Sequence, residues 1–300
     1  MGKMGVSFLT AVLGAILATG AACLYSKQKK EARPEGGKEM PSGQLKTENE
    51  LDSQMLRLIE ADCFRLMVQP VIDLQTGDIV GGEVLSRLNH PEQGLIFPDK
   101  FLPAIDEVGL YPKFDDYIFR KSCELMHSLM ELGRKTEYLS CNFSRVTLSG
   151  NGIADRLVEI ADEFGIPHER MAVEVTEREQ EPDNDQFCEN LMEIKKAGFK
   201  IFVDDLGAGV TTVRDLWTYP VDVVKIDRSL LLAADTEQGR TAYRGLRNLV
   251  VDLGSKVLCE GVETQEQHRF MLDVGCHYGQ GFLFHCPMEK EQFLSLMGEK

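Results

Sequence analysis

Three hundred residues, 43% of them hydrophobic, supply enough apolar side chains for one large core or two small ones. The formal charge of -15 divides into +2 over residues 1–50 and -17 over residues 51–300, a field that repels polyanions and argues against binding of a nucleic-acid polymer. The eight cysteines form no C-x-x-C and the six histidines no H-x-x-x-H, so a thiolate or imidazole zinc site has little support and any metal would be a hard cation held by oxygen.

Residues 5–25 carry no charge and are long enough to cross a bilayer at roughly 1.5 Å per residue, so residues 1–25 read as one N-terminal transmembrane helix. Only Lys3 precedes this run and SKQKK follows it, a bias that puts the long C-terminal part in the cytoplasm of a single-pass protein of the inner membrane. A cleaved secretory signal is the rival reading, because ATGAAC offers small residues near a cut. A lipoprotein anchor at Cys23 is weaker, with Gly20 where an aliphatic residue is wanted. Gly14, Ala18 and Ala22 make a small-residue stripe that could pair two helices. Residues 26–50 are rich in Pro, Gly and charge without apolar periodicity, and are expected to form a disordered, flexible linker to a folded domain over residues 51–300.

Within that domain, apolar runs of strand character fall at residues 66–73, 80–87, 138–143, 171–176, 200–204, 223–226, 256–260 and 278–282. Helical periods fall at residues 115–132, 153–164, 185–197, 212–219, 240–253 and 264–274. This alternation implies an α/β fold, a closed (β/α)8 TIM barrel, with an open doubly wound sheet as the alternative. The stretch LQTGD between the first two strands is too short for a crossover helix and carries turn chemistry, so the barrel is expected to be modified by an antiparallel first strand.

Chemistry in such barrels sits where strands end, and each of the last seven strands supplies a polar residue there: Glu83, Asn142, Glu174, Asp204 with Asp205, Lys225, Glu260 and Gln280. Each has an ordinary structural reading. A strand Glu faces solvent, a strand-end Lys snorkels, and an Asn caps a turn. Together they differ, because carboxylates converging on one mouth repel by several kcal/mol unless cations lie among them. The adjacent pair Asp204 and Asp205 sharpens the point, since neighbours on a strand face opposite ways unless the chain turns, and Gly207 and Gly209 allow a tight turn. Two such carboxylates could then grip two metal ions.

At these positions the chain resembles the EAL-domain family of cyclic di-GMP phosphodiesterases, over about residues 69–288. Glu83, Val84 and Leu85 stand where the family has Glu-Ala-Leu, inside GGEVLSRLNHPEQGLIFPDKFLPAIDEVGL, and CNFS, VEVTE, DDLGAG, VVKIDRS, CEGVET and GQGFLF follow in the family's order. The resemblance implies that Glu83, Asn142, Glu174 and Asp204 ligate one Mg2+ or Mn2+ while Asp204 and Asp205 hold a second. It further implies that Lys225 holds the attacking water, Glu260 binds or deprotonates that water, Gln280 orders the same network, and Glu177 braces the loop over residues 205–212. Gln69, Glu83, Val84, Leu85 and Arg87 resemble the substrate-binding set, Gln69 meeting a guanine and Arg87 a phosphate. The substrate would be cyclic di-GMP and the product linear pGpG, and a homodimer is raised by the same likeness. Departures are Val84 for Ala, Ser86 and Leu88 for Leu and Trp, Leu206 for Phe, and residues 210–212 for Tyr-Ser-Ser. They put the second metal site and the dimer contact in question but remove no ligand. Rival functions are a catalytically silent cyclic di-GMP receptor, and an aldolase-like barrel in which Lys225 forms a Schiff base, which needs a neutral amine.

Overall fold

The barrel closes at its irregular seam. The computed structural model describes residues 48–176, 185–208 and 212–298. Helix α1 (Glu48–Glu60) leads into strand β1 (Phe64–Asp73), whose last residue organises the turn. Asp73 Oδ1 accepts the N–H groups of Gln75 at 2.8 Å and Thr76 at 3.0 Å, and Gly77 takes φ +74. The chain thus returns at once as β2 (Ile79–His90), antiparallel to β1 from Phe64↔Leu88 to Ile72↔Ile79. The short β3 (Gly94–Ile96) folds back on β2, and helices α2 (Pro98–Glu107) and α3 (Tyr111–Glu131) follow.

The remaining chain alternates as its period requires. In order come β4 (Tyr138–Phe143), α4 (Arg145–Leu148), α5 (Ile153–Glu163), β5 (Met171–Val175), α6 (Asp185–Lys196), β6 (Lys200–Leu206), α7 (Asp215–Thr218) and β7 (Val223–Ile226). Then follow α8 (Arg228–Ala233), α9 (Glu237–Asp252), β8 (Lys256–Cys259), α10 (Gln265–Val274), β9 (Tyr278–Gly279), β10 (Met288–Glu289) and α11 (Lys290–Leu296). Strands β2 and β4 to β9 pair in parallel in that order, and β1 pairs antiparallel with both β2 and β9. Closure on both sides of β1 excludes the open sheet.

Side chains sort to two faces by the strand period. Val71, Val80, Tyr138, Ala172, Phe202, Val223, Leu258 and Tyr278 pack together as an apolar floor inside the barrel. Outward residues of β4, β5 and β6, such as Leu139, Val173 and Val203, meet helix residues Phe119, Leu157 and Leu191. Those of β7 and β8, such as Val224 and Val257, meet Leu231, Tyr243 and Val250. On β5, β6 and β7 the residue two beyond the floor residue looks into the barrel mouth.

The elements depart from expectation where caps or tertiary contacts overrule period. Helix α1 takes in Glu48–Glu50, which composition leaves in the linker. Burial of its Met55, Leu58 and Ile59 against the core supplies the stability that the local sequence lacks. Helix α3 begins at Tyr111 rather than at residue 115, with Pro112 tolerated in the first turn. Helix α7 is confined to Asp215–Thr218 because Asp215 Oδ2 accepts both the N–H and the hydroxyl of Thr212, each at 2.7 Å, which holds Thr212 outside the helix. Strand β9 ends at Gly279. A Cβ on Gly281 would lie 2.2 Å from the backbone of Val262, so the chain crosses there in close contact instead of continuing the strand. Among the described residues no helix is long and apolar enough to cross a membrane, and residues 5–25 lie outside them.

One buried carboxylate shapes the turn that follows β4. Asp115, only 4% exposed, accepts at Oδ2 from the Ser144 N–H (2.9 Å), the Ser144 hydroxyl (2.9 Å) and the Thr147 hydroxyl (2.6 Å). Ser144 in turn caps α4 by accepting the Thr147 N–H. Burial outweighs these hydrogen bonds and pushes the Asp115 carboxyl up to about 6 from 3.8. A carboxyl whose folded pKa is raised favours the protonated fold, so its stabilisation is complete below pH about 4 and is lost as pH rises through about 6. The difference amounts to about 3 kcal/mol. Asp115→Asn should therefore flatten that part of the stability profile in urea titrations between pH 4 and 7. Asp115→Ala should cost about 2–3 kcal/mol by orphaning the three donors, and equal stability for Ala and Asn would show that the hydrogen bonds contribute nothing.

Candidate active site

The polar residues named from the strand ends do meet, and they meet around one ammonium. Lys225, 1% exposed, places Nζ 2.5 Å from Glu174 Oε1, 2.8 Å from Glu260 Oε1, 3.2 Å from Glu83 Oε2 and 3.3 Å from Asp204 Oδ1. These partners come from four different strands or their immediate ends: Glu174, Asp204 and Glu260 each stand two residues beyond a floor residue (Ala172, Phe202 and Leu258), and Glu83 stands on β2 opposite Gln69. Lys225 itself stands two residues beyond Val223. The register, not sequence proximity, assembles the ring.

Amides tie the carboxylates together from the other side. Gln280 Nε2 donates to Glu83 Oε2 at 2.7 Å and to Gln69 Oε1 at 3.0 Å, while Asn142 Nδ2 donates to Glu83 Oε1 at 3.2 Å. Gln69 Nε2 donates to the carbonyl of His285 at 3.1 Å, so Gln69 is engaged at both ends of its amide. Gln69 and Glu83 are register partners across β1 and β2 and share the inward face with Leu85 and Arg87. Arg87 is buried, lies 5.0 Å above the Phe97 ring centroid, and donates from one terminal nitrogen to the Ser86 carbonyl.

Val84 does not belong with them. Alternation turns it to the outer face, where it is 2% exposed among Val68, Cys141 and the helix core, so its side chain cannot reach a ligand in the mouth. Glu177 lies outside the described residues, as do residues 209–211 of the loop after β6.

The paired aspartates are explained by a bulge. On β6 the register with β7 passes from Val203↔Val224 to Leu206↔Ile226, one residue more than its partner uses. The extra residue is Asp205, which takes φ +56 and donates its N–H to Asp204 Oδ1 at 2.8 Å, a conformation Asp tolerates through such local bonding. Leu206 thereby returns to the outer core, and both carboxylates are left at the mouth. Gly207 follows at φ +100, where a Cβ would stand 2.1 Å from Leu230 Cδ1. Asp204, Asp205 and Glu260 each bring a carboxylate oxygen within 4.8 Å of the others.

Electrostatics follow from burial. Desolvation disfavours the Lys225 charge, but the summed field of Asp204, Glu174, Glu260 and Glu83 outweighs it and holds its pKa well above the ordinary lysine value. An amine held charged in this way argues against the Schiff-base reading, which needs the neutral form. Burial, opposed by Lys225 and reinforced by Glu83 and Asp204, pushes Glu174 up to about 8. Burial likewise lifts Glu260 well above the usual range and raises Asp204. Glu83 goes the other way, since Lys225, Gln280 and Asn142 together overcome its desolvation.

Oxygen-rich donors of this kind suit a hard divalent cation. The Glu174 Oε2 and Gln280 Oε1 atoms are buried with no hydrogen-bond partner among the described residues, which is the signature of groups with one interaction still to make. The donor set thus fits divalent metal. Sequence reasoning missed the groups that steady it, Asp115 beneath the Asn142 turn and Asp215 behind Thr212. The S-x-x-T spacing at Ser144 and the T-x-x-D spacing at Thr212 were the available signals, and both are too common to single out unaided.

Known proteins resemble this chain in sequence and fold. The chain is 31% identical over 261 residues to an uncharacterized protein of Mycobacterium tuberculosis, covering 86% of this chain and 42% of that one. It is 28% identical over 233 residues to the cyclic di-GMP phosphodiesterase PdeL of Escherichia coli, covering 77% and 64%. It thus spans less than two thirds of the length of these curated relatives. Among solved structures, the PaMucR phosphodiesterase in complex with c-di-GMP superposes with a TM-score of 0.74 at 28% identity, covering 81% of this chain and 99% of that one. An EAL domain protein from Listeria monocytogenes gives a TM-score of 0.72 at 25% identity, covering 85% and 98%. The sequence model of the EAL domain matches residues 52–287, nearly the whole barrel, and the chain belongs to the EAL domain family.

Proposed function

We propose that the chain is a phosphodiesterase that hydrolyses cyclic di-GMP to linear pGpG with two Mg2+ or Mn2+ ions, on the cytoplasmic side of an inner membrane to which residues 5–25 anchor it. One observation carries the reading: four carboxylates from separate strands crowd a single ammonium at the barrel mouth, with Asp204, Asp205 and Glu260 gathered beside it. Such crowding is tolerable where cations lie among the acids. The activity of relatives such as PdeL and the ligand of the PaMucR complex support the substrate. The uncharged run and the SKQKK that follows it support the anchor.

Glu83, Asn142, Glu174 and Asp204 would hold one ion, and Asp204 with Asp205 the other. Bound there, the ions would supply a clamp on the non-bridging phosphate oxygen and a water acidic enough to attack at neutral pH. The protein's own groups do the rest. Glu260, beside Asp204 and Asp205, would take up the proton of the attacking water at a carboxylate oxygen. Lys225, 2.8 Å from Glu260, keeps that water oriented with a fixed positive charge. Gln280 holds Glu83 in place, and Arg87, steadied on Phe97, faces the incoming phosphate. Glu177 is proposed to brace the loop after β6, and a homodimer is proposed on the family likeness.

Incubating the full chain with cyclic di-GMP and Mn2+ should yield pGpG, and excess chelator should abolish it. Glu83→Ala and Asp204→Ala should each lose turnover at least about 100-fold; unchanged turnover in either would sink the assigned ligand set. Binding without product would favour the receptor reading.

Lys225 also has a structural consequence that can be measured apart from turnover. Removing it leaves four carboxylates, Glu83 and Glu174 among them buried, without their internal cation, so Lys225→Met should be destabilised by about 3–5 kcal/mol in chelator. Mn2+ should raise its melting temperature more than it raises that of the wild type, because the ions then supply the missing charge. Equal shifts in the two proteins would contradict a shared electrostatic role.

For the anchor, the full chain should stay in the membrane pellet after an alkaline carbonate wash, and a chain lacking residues 5–25 should be released. Recovery of a shortened soluble chain would favour a cleaved signal.

A further inference from the structure

Two residues outside the polar ring bridge the segments that follow Lys225 and Glu260. Arg228 lies three residues past Lys225 at the start of α8, and Glu263 lies three residues past Glu260. A terminal guanidinium nitrogen of Arg228 stands 2.6 Å from Glu263 Oε2, with the two side chains 22% and 29% exposed. Between them sits Gly261 at φ +65, and a Cβ there would fall 2.5 to 2.7 Å from Cβ, Cγ and Cδ of Arg228. The arginine stem therefore lies flat on the backbone next to Glu260, in space that only glycine leaves open. Both ends of the bridge are themselves fixed. Asp227 Oδ1 caps α8 by accepting the Ser229 N–H, and the Glu263 N–H donates to Gln267 Oε1 at the start of α10.

We propose that Arg228 and Glu263 form a positioning clamp that sets the separation of Lys225 from Glu260 by bridging the ends of β7 and β8. The Lys225 to Glu260 contact of 2.8 Å spans the ends of two strands, where the Glu260 N–H donates to the Ile226 carbonyl at 3.2 Å. Beyond that bond the two chains lead into separate helices, and the Arg228 stem on Gly261 together with its ion pair to Glu263 spans the gap. This inference rests on the phosphodiesterase reading for its kinetic consequence but not for its geometry.

The test uses the full chain and four variants. Arg228→Met keeps the stem on Gly261 but removes the charge, Glu263→Gln removes the other charge, the double variant removes both, and Arg228→Lys keeps an ammonium on a similar stem. Since small misplacements of a reacting group cost about 10- to 100-fold, Arg228→Met and Glu263→Gln should each lose about that much in kcat with KM within about twofold. The double variant should be no worse than either single, and Arg228→Lys should recover most of the loss. Mn2+ affinity, followed by electron paramagnetic resonance, gives a readout independent of turnover, because Glu260 stands beside Asp204 and Asp205. Weaker Mn2+ binding in Arg228→Met at unchanged melting temperature supports the clamp even if the parent chain proves inactive, an outcome that would count against the phosphodiesterase alone. Wild-type kcat and Mn2+ affinity in both single variants would overturn it. So would losses that multiply in the double variant, or a change confined to KM.

Discussion

A single buried ammonium is the constraint on which this site depends. Lys225 is 1% exposed and within 3.3 Å of four carboxylates. Each of those acids would be costly in the interior alone, and the lysine would be costly without them. The apolar floor of Tyr138, Phe202, Leu258 and their neighbours closes the barrel below this ring and leaves it open only toward the mouth. Low polarity beneath and mutual charge above make the ring tight and electrostatically sensitive. That sensitivity is visible in carboxyl groups moved in opposite directions, Glu83 down and Glu174 up to about 8, within one cluster.

The second constraint is geometric. A regular strand cannot present two adjacent side chains to the same place, and β6 does so by spending one extra residue. Asp205 in a left-handed conformation is the cost, and the hydrogen bond from its N–H to Asp204 offsets part of it. Backbone strain is thus stored beside the acidic cluster, with Leu206 anchored again in the outer core one residue later. Around the rim, small polar devices do similar service. Asp115 pins the turn after Asn142, Asp215 holds Thr212, and Arg228 reaches Glu263.

Much of this was legible beforehand for reasons that are local. Strand β4 and strand β7 run over the residues their apolar runs mark, because both are short and almost wholly buried. The hairpin was readable from LQTGD, where Asp73 and Gly77 do what turn chemistry requires. What could not be read depended on contacts made at a distance. Helix α1 owes its place to the core it covers, the end of β9 to the backbone of Val262, and the start of α7 to the carboxylate of Asp215. The motif reading also placed Val84 at the ligand, where the two-residue period of β2 sends it to the opposite face.

By itself the sequence determined which residue types stand at each strand end, and that acids outnumber bases there strongly enough to demand a cation. It also determined the alternation of elements that makes a barrel. Only the tertiary structure decided that the nearest cation is Lys225, that Gln69 is bound at both ends of its amide, and that Asp205 is the residue the ladder leaves out. The reason is that distance along a chain says nothing of distance across a closed sheet. Residues 83, 174, 204, 225 and 260 become neighbours only when the register of eight strands is set, and that register is set by the packing of the whole core.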